Sequence, residues 1–466
     1  MNKLAAFLVI VLVLFGACMP LFAQDYKSVK ISELEFKVPD VDRFELENGL
    51  IVYFYEDHTL PVVALDAMLR LGEIYVPFGK AGLAELCGEL LRTGGTGSTA
   101  PDDFDQMLDF VGASLRSSAE TESGSVNLRT LKKDVELGLR LMAEMLKDPL
   151  FDSEKFDIAV ENKLEEIRRE NDNPNLITRR EFYKLLFPDH PYGRSGTEAT
   201  VSAITRDDLV EFHRKFYHPN NCIIALSGDL TRQEAEQLIK KYLGDWKKSD
   251  SALPEFPGIK KPVPGTYYVF KDLNQTYFRI GHPGISRTNP DRYAVQVMNF
   301  ILGGGGFISR MSNTIRVQEG LAYFVGSNFY QMDHSGSFYA ACQTKAETTS
   351  RAIELMIAEI EKLIAGGVTE KELETAKNSI LNSDIFSYST PQQIVSQQAS
   401  LEFYGFPPDE LTKRIEEIKA VTADDVKAAA AKYLHPNALI VIVVGNEALF
   451  DKPLSTFGLV TNVKIE

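Results

Sequence analysis

The chain repeats itself. The run Ala203-Ile204-Thr205-Arg206-Asp207-Asp208-Leu209, continued by Lys215-Phe216-Tyr217-His218-Pro219-Asn220, returns as Ala420-Val421-Thr422-Ala423-Asp424-Asp425-Val426 and Lys432-Tyr433-Leu434-His435-Pro436-Asn437. The offset is a constant 217 residues, without a gap, and it also carries Ile223 and Gly228 onto Ile440 and Gly445. Agreement of Thr-x-Asp-Asp, Lys, His-Pro-Asn and Gly at one offset is improbable by chance, so the fold must be built from two related halves. In each copy the threonine caps a helix and the aspartates lie in its positive first turn. A turn at His-Pro-Asn and a β-branched strand follow.

Proline marks the division. Pro254, Pro257, Pro262 and Pro264 fall within residues 249–265 among scattered charges, which predicts a linker. The expected domains are therefore residues 24–248 and 266–466. Upstream, residues 44–55 and 62–71 read as strands. Residues 132–146 read as a helix facing inward with Val135, Leu139, Met142 and Leu146, and residues 154–170 as another facing inward with Phe156, Val160, Leu164 and Ile167. In the second half, residues 277–281 and 336–344 are strand-like, and 350–364 and 370–382 helical. Strands followed by helix pairs, twice over, give an α+β class.

Residues 1–23 read as a secretory signal. Lys3 supplies the positive start, residues 4–15 the apolar core and Leu21-Phe22-Ala23 the small-residue cleavage site. This predicts export to the periplasm or the exterior, with lipidation of Cys18 as a competing anchor reading. No later apolar run is long enough to span a bilayer. The net charge of −15 argues against a nucleic-acid partner. Apart from Cys18, Cys87, Cys222 and Cys342 form an odd set without paired spacing, which predicts free buried thiols rather than a disulfide framework.

The chemistry-bearing stretch is Gly79-Lys80-Ala81-Gly82-Leu83-Ala84-Glu85-Leu86-Cys87-Gly88-Glu89-Leu90-Leu91, closed by Gly94-Gly95. Its leucines are spaced for a helix, and Glu85 and Glu89, four apart, share one face at the spacing by which two ligands reach one metal ion. Other tempting features carry less. Gly303 to Gly306 lack the Gly-Lys-Ser/Thr of a phosphate loop and read as a turn. The seven histidines contain no i, i+4 pair, and His218 and His435 recur beside proline as turn residues.

Several of these motifs together resemble the pitrilysin/insulinase metallopeptidases, a family that includes the mitochondrial processing peptidases. They are Leu46-Glu47-Asn48-Gly49-Leu50, Gly79 to Ala84, Leu164-Glu165-Glu166-Ile167-Arg168, His190-Pro191-Tyr192-Gly193, Tyr217-His218-Pro219-Asn220-Asn221 and Arg316-x-x-x-Gly320-Leu321-Ala322-Tyr323. The resemblance implies two tandem homologous domains, each a mostly antiparallel sheet packed with helices, forming a half-shell.

Active members of that family carry H-x-x-E-H, two zinc-binding histidines around a general base. Here the first histidine falls on Glu85, the base on Gly88 and the second histidine on Glu89. The third ligand, a glutamate, falls on Glu166, or on Glu165 if the loops differ by one. An all-oxygen set suits calcium, magnesium or manganese better than zinc. Gly88 has no side chain to move a proton, and loss of a general base costs about 100-fold to 10,000-fold in rate. No cofactor is therefore expected on this chain.

Two-chain members of the family divide the work, one chain supplying zinc and the other an Arg and a Tyr seven residues apart. Arg316 and Tyr323 match that pair, in the role of gripping a peptide carbonyl and supporting a developing oxyanion. The resemblance implies a zinc-less subunit that meets a zinc-bearing homologous chain around a peptide substrate. A non-enzymatic binding or scaffold subunit is the alternative. Residues 112–119 resemble the family strand that pairs with bound peptide, with Arg116 where asparagine is expected.

Overall fold

In residues 62–69 every second side chain is buried, namely Val63, Leu65, Ala67 and Leu69, so the segment is a strand with one face on the core. The computed structural model, which describes residues 39–465, contains two sheets, whose inner strands Cys222–Gly228 and Ile440–Gly445 are instead buried along their whole length. The leader and Cys18 lie outside the described residues.

The first half contains β1 (Asp42–Glu45), β2 (Ile51–Glu56), β3 (Val62–Leu69), α1 (Leu83–Thr93), α2 (Pro101–Val111), β4 (Ser114–Ala119) and β5 (Gly124–Leu131). It continues through α3 (Val135–Lys147), α4 (Ser153–Glu170), α5 (Pro174–Leu186), α6 (Glu198–Ser202), α7 (Arg206–Phe216), β6 (Cys222–Gly228) and α8 (Arg232–Leu243). The second half contains β7 (Gly265–Phe270), β8 (Gln275–Pro283), α9 (Arg292–Asn299), β9 (Ala322–Gln331), β10 (Gly336–Lys345) and α10 (Thr349–Gly366). After these come α11 (Glu370–Asp384), α12 (Pro391–Phe403), α13 (Glu410–Ala420), α14 (Ala423–Tyr433), β11 (Ile440–Gly445) and β12 (Val460–Asn462). The stretch 44–55, read as one strand, is instead a hairpin, because the chain turns at Asn48-Gly49 between β1 and β2.

Both sheets have six strands in matching order, β1-β2-β6-β3-β5-β4 and β12-β7-β11-β8-β10-β9. Pairing is antiparallel except at β2–β6, β7–β11 and β7–β12. The outer strand differs in origin. β1 precedes its sheet and runs antiparallel to β2, whereas β12 arrives from the other end of the chain and runs parallel to β7. The repeat motif has the same local job twice. Thr205 and Asp208 cap α7 reciprocally, and Thr422 and Asp425 cap α14 in the same way. Cys87, Cys222 and Cys342 are free and buried.

The halves exchange a helix. Pro174–Leu186 and Pro391–Phe403 are related by the 217-residue offset, and each packs on the sheet of the other half. Ile177, Phe182 and Leu186 of α5 join Ile440, Ile442 and Val444 of β11 in one buried cluster. Val395, Ala399 and Phe403 of α12 join Ile223 and Ala225 of β6 in another. Hairpin tips add a polar contact between the halves. Glu122, at the β4–β5 turn, accepts from Arg287 Nη2 (3.0 Å), from the Asp333 amide (3.0 Å) and from the Tyr192 hydroxyl.

Candidate functional site

Helix α1 is framed by a half-buried carboxylate that sequence reasoning missed. Glu73 accepts from the amides of Gly82 (3.2 Å), Ala84 (2.9 Å) and Glu85 (3.4 Å), the unpaired donors of the helix N-terminus. Burial pushes its carboxyl up, and those backbone bonds and Arg194 pull against the shift. Gly82 sits at φ +102°, a left-handed backbone that opens the helix. The apolar face of α1 is buried through Leu83, Leu86, Leu90 and Leu91, which turns Glu85 and Glu89 outward.

The outward face carries a cation that belongs to the chain. Lys163 of α4 donates to Glu85 (2.6 Å) and Glu166 (3.0 Å), with its own side chain only 12% exposed. Burial alone would push this ammonium down, but the bonds to Glu85 and Glu166 outweigh it and hold it above the ordinary lysine range. Glu89 is raised, first by burial and then by Glu85, with Lys163 opposing and Glu166 adding. Glu165 faces elsewhere and pairs with Arg169 at 2.8 Å. Of the two candidate third ligands, the structure therefore brings Glu166 to Glu85.

These residues do not fit zinc. The donors are carboxylates without an imidazole, and a lysine ammonium is bonded to two of them. Among the described residues no group of three or more acidic, histidine or cysteine side chains is arranged to hold a metal. The base position is closed as well. A Cβ on Gly88 would lie 2.3 Å from the Ala119 amide nitrogen and 2.7 Å from the Ser118 carbonyl carbon, both backbone atoms of β4. The Ser117 hydroxyl donates to the Gly88 carbonyl, and Arg92 Nε donates to the Leu115 carbonyl at 2.9 Å. Strand β4 is thus an edge strand with the Leu115 acceptor already taken by α1, while Arg116 is exposed.

Lys163→Met is expected to lower stability by about 1 kcal/mol at pH 7, a modest figure because Glu85 and Glu166 are half exposed. The loss should shrink as the pH falls, since protonation relieves the repulsion among carboxylates of which Glu89 is already raised. Urea midpoints at neutral and mildly acidic pH check this. A deficit that does not change with pH contradicts it.

The second pair lies in the other half. Arg316 belongs to a π-helical turn, Ser312–Gln318, and Tyr323 is the second residue of β9. Gln343 pairs with Phe324 and Thr344 with Ala322, so Tyr323 is the extra residue of a β-bulge, a device that re-aims a side chain. The residue is 75% exposed. The Arg316 guanidinium lies 4.5 Å from the centre of the Phe307 ring and 5.8 Å from that of Tyr323. Among the described residues it has no carboxylate or carbonyl partner. The structure thus brings Arg316 and Tyr323 together, and Phe307, not anticipated from sequence, completes the stack. Gly303 and Gly304 close a π-helical turn, Phe300–Gly304, and Gly305 and Gly306 form the bend that leads on into this site.

Residues 52–199 match the family described as Insulinase (Peptidase family M16), and residues 203–380 match the Peptidase M16 inactive domain. Together they span well over half of the sequence. The chain belongs to the M16 peptidase family. An uncharacterized zinc protease of Mycobacterium leprae is 30% identical over 365 residues, covering 76% of this chain and 80% of that protein. The Helicobacter pylori protein named non-peptidase homolog YmxG is 26% identical over 407 residues, covering 85% of this chain and 92% of its own length. The crystal structure of a peptidase M16 inactive domain from Pseudomonas fluorescens superposes with a TM-score of 0.80 at 28% identity, covering 89% of this chain and all of that one. The M16 frame is therefore kept around altered chemistry.

Lys163 was the residue most open to discovery from M16 sequence motifs. It lies three before Glu166 on α4, a spacing at which an ion pair is expected. Its reach to Glu85 depends on how α4 packs against α1, which no local spacing reports.

Proposed function

We propose that this chain is a zinc-less subunit of a heterodimeric peptidase. It would lend Arg316 and Tyr323 to a homologous chain that carries the zinc. The observation that carries the reading is the contrast between the two sites. Glu85 and Glu166 are bound by Lys163, whereas Arg316 lies against the rings of Phe307 and Tyr323 without a polar partner among the described residues. Ring contacts of this kind leave the guanidinium donors available for a peptide carbonyl. The Tyr323 hydroxyl can donate to an oxygen that gains charge as a peptide carbonyl is attacked. The name of the Helicobacter pylori relative supports the view that the chain has no peptidase activity of its own. A cleaved leader would place the complex outside the cytoplasm.

The test is co-expression with a zinc-bearing relative and measurement of peptide cleavage. Arg316→Ala and Tyr323→Phe are each expected to lower kcat/KM at least about tenfold, the scale of one lost charge-assisted hydrogen bond. Undiminished cleavage in both variants would sink this role and leave a scaffold or binding subunit.

A further inference from the structure

The two sheets carry opposite charges at one equivalent position. Asp66 of β3 pairs with Ala225, and Arg279 of β8 pairs with Ile442. Residues 225 and 442 are related by the 217-residue offset, so Asp66 and Arg279 occupy the same place in the two halves. The first charge is fully partnered. Asp66 accepts from Asn127 Nδ2 (2.8 Å), Gln392 Nε2 (2.8 Å) and Ser396 Oγ (2.9 Å), the last two from exchanged helix α12.

Arg279 is treated differently. It is 6% exposed, its Nε is buried, and no acceptor meets that atom among the described residues. Its guanidinium lies 4.3 Å from the centre of the Tyr339 ring and 5.8 Å from that of Phe182 on exchanged helix α5. Arg179, exposed on α5, adds a second positive charge felt by both Arg279 and Tyr183, and it too forms no ion pair among the described residues. Tyr183, next to Phe182 on α5, places its hydroxyl 3.2 Å from that of Ser337. Acidic residues outnumber basic ones by 65 to 50 in this chain, so carboxylates are in ample supply, and a buried guanidinium left without one is costly.

We propose that Arg279 and Arg179 form a carboxylate-binding subsite between α5 and the second sheet, with the Tyr183 and Ser337 hydroxyls as neutral donors. Contact with the Tyr339 ring at 4.3 Å restrains the Arg279 guanidinium, whose planar fork of donors matches a carboxylate. The carboxylate is that of a peptide, either its C-terminus or an acidic side chain. That choice of carrier rests on the proposed function, whereas the demand for an anion does not.

The test uses the full chain and three fluorescently labelled nonapeptides without other acidic residues, read by anisotropy. One ends in a free carboxylate, one is its C-terminal amide, and one is the amide with a single internal glutamate. At least one carboxylate peptide should bind roughly tenfold tighter than the neutral amide, and which one does so identifies the source. In Arg279→Met and in the exposed-site variant Arg179→Ala, the preference should fall to about twofold or less. Arg279→Met should also raise the urea midpoint, because a desolvated charge is removed. Arg316→Ala separates this subsite from the proposed function, since it would weaken all three peptides while leaving the carboxylate preference intact. Equal affinities in the wild type, no binding of any peptide, or a preference that survives in both arginine variants overturns the proposal.

Discussion

Expressed separately, residues 39–248 and 266–466 are expected to fail to reach a native state. The reason is the helix exchange. Cutting the linker sends α5 away with the first half and strips Ile440, Ile442 and Val444 of their cover, and sends α12 away from Ile223 and Ala225. Burying one large aliphatic or aromatic side chain is worth about 1.5–3 kcal/mol. The six side chains of the α5 cluster named above therefore represent on the order of 10 kcal/mol, similar to the whole stability of a typical domain. Each piece should bind a hydrophobic dye and unfold without a cooperative transition, and mixing the two should restore cooperativity. A sharp urea transition in either piece alone would refute the account.

Restoring the zinc motif should not restore an enzyme. In the triple variant Glu85→His, Gly88→Glu, Glu89→His, the glutamate needs space now held by the backbone of β4, 2.3 Å from where its Cβ must sit. Relief requires the edge strand to move away from α1 and to give up the Arg92 and Ser117 bonds that join them. Overpacking against backbone costs about 1–3 kcal/mol and occasionally more, and lost hydrogen bonds add to it. Gly88→Glu alone is thus expected to lower stability by about 3 kcal/mol or more. Lys163 meanwhile remains beside the new ligands. The expected outcome is a destabilised chain without stoichiometric zinc, read by calorimetry and metal analysis. Tight zinc binding with unchanged stability would show that β4 yields readily.

Loss of the motif and closure of the site are different facts. By the resemblance to active relatives, the changed letters at Glu85, Gly88 and Glu89 would remove ligands and base. The close packing of β4 against Gly88 and the bonding of Lys163 to Glu85 and Glu166 make the loss a property of the packed structure. The acidic face is then neither a bare solvated patch nor a metal site. It is an ion-paired contact between α1 and α4, centred on Lys163.

The sequence by itself determined what depends on neighbours within one helical turn or one strand period. The reciprocal caps of α7 and α14 follow from Thr-x-x-Asp. The outward face of α1 and the inward face of α4 follow from apolar spacing, and the doubled architecture follows from the 217-residue repeat. Only the tertiary structure decided which half each copy would complete. Repeat similarity says that α5 and α12 are equivalent, and burial of both sheets is what places each on the other's sheet. The same holds for Lys163 reaching across to Glu85, for the bulge that turns Tyr323 outward, and for the contrast between partnered Asp66 and unpartnered Arg279. Their partners are remote in sequence, so no local period encodes them. They are set by which surfaces must leave water together.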